Sequence, residues 1–132
     1  MSCPGGDAAA ADAALARVRE AGAERVRIAW CDLHGWHRGK TLLPRALPSA
    51  LREGLGLVGT LLLKDSSDRT AFKVFEPGGA PAGFGGAANL LLRPDPASFR
   101  LLPWAPGTGW MRAQPFFADG TPVPQDPRRV LQ

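Results

Sequence analysis

Cysteine is scarce in this chain: Cys3 lies near the N-terminus, Cys31 sits in an alternating apolar stretch, and there is no other among 132 residues. Two such positions make no disulfide framework and suit a reducing compartment, so a cytoplasmic location is expected. Long apolar runs are also missing. No stretch approaches the roughly 18 residues that cross a bilayer. The opening "MSCPGGDAAAADAALARVREAG" has no charged segment leading into a strongly apolar one, so neither membrane insertion nor secretion is expected. Acidic residues are few and lie on separate segments, 12 Asp and Glu against 16 Lys and Arg. The resulting net charge of +4 is spread along the chain, a mild bias toward anionic partners that lacks the clustering of a specific nucleic-acid binder.

Catalytic motifs are likewise missing. There is no G-x-S-x-G elbow and no H-E-x-x-H pair. "RGKT" at 38–41 imitates the end of a phosphate-binding loop, but that motif needs glycine where His34 stands, and a helix where "LLPR" follows. "GFGG" at 83–86 leads into a strand, whereas a dinucleotide fingerprint opens a helix. Cys31, His34 and His37 invite a zinc reading, yet a closed site takes four converging ligands and strand alternation does not aim these three at one point. A strand cysteine with surface histidines is the expectation. Trp30, Trp36, Trp104 and Trp110 divide between core packing and interface cover, with an aromatic stacking surface as the alternative.

What is present is one domain's worth of patterned chain, 45% hydrophobic. Residues 8–21 predict a helix with Ala11, Leu15 and Val18 on one stripe, Asp7 as its cap and Gly22 as its stop; a loosely docked leader is the alternative. From residue 24 the period changes to alternation, with Val26, Ile28 and Trp30 on one face and a tight turn at His34-Gly35, which predicts a β-hairpin. "PRALPSALREG" predicts a short helix ending at Gly54, and "LGLVGTLLLK" a strand. Residues 65–88 form a glycine-rich loop with little periodicity. "NLLLRP", "SFRLLPW" and "GWMRAQPFF" predict three further short strands punctuated by proline and glycine. This order predicts an α+β domain whose mixed or antiparallel sheet carries a helix across one face.

The series "VRIAWCDLHGWHRGKTLLP", "NLLLRPDPASFRLLPWAPGTGWM" and "DGTPVPQDPRRVL" resembles the N-terminal β-grasp domain of the glutamine synthetase family, and within it the glutamine synthetase-like γ-glutamyl ligases. The resemblance runs over residues 24–132. With the helix or leader over 1–23 set before it, the resemblance implies a β-grasp domain over 24–125 and, over 126–132, the start of a linker helix to a catalytic domain that this chain lacks. The complete enzyme would be an ATP-dependent ligase joining ammonia or an amine to the γ-carboxylate of glutamate. ATP and Mg²⁺ or Mn²⁺ would be held by the catalytic domain, with no cofactor in this chain. Implied partners are that catalytic domain and neighbouring subunits of a homo-oligomer. In the family, an aspartate of an Asp-Gly-Ser-Ser stretch reaches a neighbour's active site and helps bind ammonium. "KDSS" matches it without the glycine, making Asp65 the implied ammonium or amine group, with Ser66 and Ser67 beside it. Phe72, Phe75 and Phe84 would line the loop's docking face. The alternative is a stand-alone β-grasp interaction module without catalysis.

Overall fold

The computed structural model describes residues 8–132; Cys3 and the predicted cap Asp7 lie outside the described residues. Helix α1 (Ala8–Glu20) buries Ala11, Ala14 and Val18, with Leu15 packed beside them, as its spacing predicts. It stops at Gly22, where φ is +60° and the Ala23 N–H returns to the Val18 carbonyl at 3.2 Å. Glycine adopts that left-handed turn without a Cβ penalty. Arg17 ties α1 to the rest of the domain: it donates to the Phe99 carbonyl at 2.6 Å and its guanidinium lies 5.3 Å from the centre of that ring.

Strands β1 (Arg25–Cys31) and β2 (His37–Leu42) form the predicted hairpin, in register from Val26 opposite Leu42 to Cys31 opposite His37. The turn differs from expectation. The predicted tight turn at His34-Gly35 would need a positive φ at both residues; only Gly35 has one, at +82°, and the connection spans residues 32–36 around the carboxylate of Asp32. Gly39 is needed for another reason. A Cβ there would collide with the Ile28 carbonyl oxygen on β1. Gly39→Ala is expected to push the strands apart and cost about 2 kcal/mol in urea unfolding, within the usual range for overpacking.

Helix α2 (Leu47–Glu53) ends at Gly54, φ +80°, and leads into β3 (Leu55–Val58). The predicted strand is shorter than its apolar run, because Gly59–Leu63 winds into a 3₁₀ segment. Gly59 donates to the Ala88 carbonyl at 2.9 Å, and a side chain at 59 would meet that oxygen and the Phe84 ring, so the backbone leaves the sheet there. Strands β4 (Asn89–Pro94), β5 (Arg100–Leu101) and β6 (Thr108–Phe116) follow, then a short helix α3 (Pro127–Val130).

The sheet runs β2-β1-β6-β4-β3, with β5 also paired to β6. β6 is the hub. It lies parallel to β1 on one edge, and on the other it pairs antiparallel with β5 at Trp110 and with β4 from Ala113 to Phe116. "PDPASF" turns the corner between β4 and β5. Asp95 accepts from Ala97 N–H at 3.0 Å and from Arg112 Nε at 2.8 Å, while the Ser98 hydroxyl accepts from Arg112 N–H at 3.0 Å, so side chains supply the partners that a continuous ladder would. α1 and α2 cover one face, where Val26, Ile28, Leu47, Leu92 and Met111 are fully buried in a common core. Each such side chain contributes about 1.5–3 kcal/mol through burial. The opposite face of β1, β2, β5 and β6 is open.

Candidate functional site at the hairpin turn

Asp32 leaves β1 at the point where alternation ends, and its side chain folds back under the turn with only 1% of its surface exposed. Oδ1 accepts from the backbone N–H groups of His34 at 2.9 Å and Trp36 at 3.0 Å, and Oδ2 accepts from Arg38 Nε at 2.6 Å. Burial pushes the carboxyl up, but the Arg38 hydrogen bond and the two amides outweigh it and hold Asp32 below its ordinary value. Arg38 has a second partner, donating to Asp68 Oδ1 at 2.7 Å. These two carboxylates keep its guanidinium more firmly charged than usual. A side-chain bridge therefore fixes the hairpin to the segment that follows the 3₁₀ turn. His34 adds a link: its Nε2 donates to the Lys64 carbonyl at 2.8 Å, which sets the proton on that nitrogen because a carbonyl only accepts.

Asp65 stands beside that link, exposed, at the start of a tight turn. Its Oδ1 accepts from the Ser67 hydroxyl at 2.7 Å, Ser67 N–H at 2.9 Å and Arg69 N–H at 3.0 Å. The Ser67 hydroxyl and then the Arg69 amide lower its pKa, so the group is ionised at neutral pH. Oδ2 makes no hydrogen bond among the described residues and is free for a ligand. Ser67 thus serves the turn, whereas Ser66 lines a hollow of about 450 Å³ together with Asp65, His34, Trp36, Arg38 and Asp68. Trp36 is 71% exposed there.

The predicted loop residues separate. Phe72 and Phe75 are exposed, but Phe84 is not available for docking: it is 1% exposed and packs edge-to-face on Phe117 at 5.5 Å. No three His, Cys, Asp or Glu side chains converge to hold a metal among the described residues. Cys31 is half-buried and free, its thiol pushed up by burial and by Asp32 and Asp126 nearby. No helix of the described residues is long and apolar enough to cross a membrane.

Known proteins are similar to this chain over most of its length. The chain is 36% identical, over an alignment of 131 residues with gaps, to a γ-glutamylanilide synthase of Acinetobacter sp., covering 93% of this chain and 26% of that protein. It is 30% identical over 112 residues to the glutamine synthetase of Mycobacterium tuberculosis, covering 81% of this chain and 21% of the relative. The solved structure of a GmaS–ADP complex superimposes with a TM-score of 0.66 at 32% identity, over 89% of this chain and 23% of that one. The chain belongs to the glutamine synthetase family. No family model matches it. It spans about a quarter of the length of these relatives. Its α+β architecture is that of the N-terminal domain of its glutamine synthetase-family neighbours.

Proposed function

We infer that the chain serves as the N-terminal domain of an ATP-dependent ligase that joins ammonia or an amine to the γ-carboxylate of glutamate, and that it lends the Asp65 turn to a neighbouring subunit's active site. The observation that carries this is the free, ionised Oδ2 of Asp65 at a hollow shared with an exposed indole, in a chain similar to a γ-glutamylanilide synthase. A γ-glutamylethanolamide synthetase of Streptomyces coelicolor, 31% identical over 110 residues, supports the same amide chemistry. A carboxylate held below its ordinary value keeps a cation well and takes a proton poorly. Asp65 therefore binds and orients the ammonium or amine more than it acts as base. ATP and Mg²⁺ or Mn²⁺ belong to the catalytic domain of the complete ligase, and that domain and further subunits of a cytoplasmic homo-oligomer are the partners.

The test joins this polypeptide to a matching catalytic domain and follows phosphate release that depends on ATP and glutamate. Restored release is expected. Asp65→Asn keeps the turn acceptor but removes the charge, so turnover is expected to fall about 10²-fold with the assembly intact. Binding without any gain in release would instead mark an interaction module.

A further inference from the structure

We propose that the open face of the sheet carries a second binding site, for a small planar ligand bearing an anionic group, with an aromatic carboxylate as its simplest form. Strand register builds it. Arg27 on β1 and Arg100 on β5 both stand opposite Trp110 of β6, so an indole is flanked by two guanidinium groups across three strands. The next outward pair along β1 and β2 is Ala29 opposite Gly39, which offers no bulk. Gly39 has to stay bare because of the Ile28 carbonyl, and Trp110 leans across this gap toward His37, the two rings 6.2 Å apart and 25° from parallel. Above this floor opens a hollow of about 520 Å³, inside the size range of small-molecule sites. Trp104, 76% exposed, stands at its edge.

The charge around the hollow is one-sided. Arg27, Arg100, Lys40 and Arg38 line it, and no Asp or Glu does. Arg38 is already engaged by Asp32 and Asp68, whereas Arg27, Arg100 and Lys40 have no ion-pair partner among the described residues. Arg100 rests 5.4 Å from the Trp110 ring centre, poised between the ring face and an incoming anion. An indole supplies a stacking surface for a ring, and unpaired guanidinium groups beside it supply charge-assisted donors in the geometry of a carboxylate. The hollow beside Asp65 differs in that it carries the carboxylates of Asp65 and Asp68, with Arg38 already paired to Asp68. Uncompensated cations line only the hollow over Trp110, and this proposal stands whether or not the chain completes a ligase.

The experiment titrates the isotopically labelled chain with benzoate and follows the amide and indole resonances. Saturable shifts are expected at Trp110, Ala29 and Gly39, with benzoate binding roughly tenfold more tightly than either benzyl alcohol or acetate. Arg27→Ala and Arg100→Ala, both at exposed positions, should each weaken benzoate by about fivefold or more. Raising NaCl from about 50 to 500 mM should weaken it in the unaltered chain as well, which keeps the test decisive if a variant folds poorly. Shifts that do not saturate, that map elsewhere, that benzyl alcohol reproduces at the same concentration, or that ignore salt and both variants would overturn the proposal.

Discussion

Asp32→Ala is expected to lower the unfolding free energy by about 3 kcal/mol, the lower end of the range for breaking a buried ion pair. In a domain of this size that corresponds to a melting temperature lower by roughly 10 °C. The carboxylate is all but fully buried and accepts three hydrogen bonds, one of them from a guanidinium. Truncation leaves the amides of His34 and Trp36 and the Nε of Arg38 without their acceptor, and the cost of stranded donors exceeds the net worth of the bonds themselves. Arg38 retains 25% side-chain exposure and its bond to Asp68, which keeps the cost at the lower end. Asp68→Ala is the control. Its carboxylate is 65% exposed, and losing that arm should cost no more than about 1 kcal/mol.

The same carboxylate predicts the acid response. Its folded pKa lies below the ordinary 3.8, so its contribution is complete above that value and is lost as pH falls through the lowered folded value. Thermal melts of the unaltered chain should decline steeply below about pH 4, whereas Asp32→Asn, starting lower, should lose less over that window. Equal slopes in the two proteins would show that Asp32 is not the group titrating.

Much of this architecture is legible in the chain, because period and punctuation act locally. The alternation of Val26, Ile28 and Trp30 sets the inward face of β1, and Gly22 and Gly54 end their helices at positive φ for reasons visible in sequence. The misses share a cause: each depends on a partner distant in the chain. Gly59 turns the backbone out of the sheet because Ala88 and Phe84 stand against it. Asp32 looks like any turn aspartate until Arg38 and Asp68 converge; an aspartate three residues before a glycine at a strand end is the one local signal that could have moved the turn from His34 to Asp32. Asp65 was nameable only through the family's Asp-Gly-Ser-Ser stretch. That one of its oxygens is spent on the turn and the other is free follows from the fold alone.

Phe84→Ala should be the most damaging single change in the 65–88 segment, at about 3–5 kcal/mol, the usual cost of emptying a buried phenylalanine site. The segment has no regular ladder of its own. Val74 and Phe84 are its buried side chains, and the Gly86 N–H closes onto the Val74 carbonyl at 2.7 Å. Gly83, at φ +87°, lets the chain turn directly beneath the Phe117 ring, so Phe84 lands edge-on against it. Without the Phe84 ring, Gly59 also loses its nearest side-chain neighbour, and the turn out of β3 loosens. The Asp65 turn has separate moorings in Ala71 N–H to Leu63 and His34 to Lys64. Limited proteolysis should therefore cut the variant between residues 72 and 88 many times faster, while the amide resonances of Ser67 and Arg69 keep their positions. Phe75→Ala, at an 81% exposed ring, should change stability by less than about 0.5 kcal/mol and leave the cleavage rate unchanged. If cleavage rises equally in both variants, the segment is held by its surface and not by its buried ring.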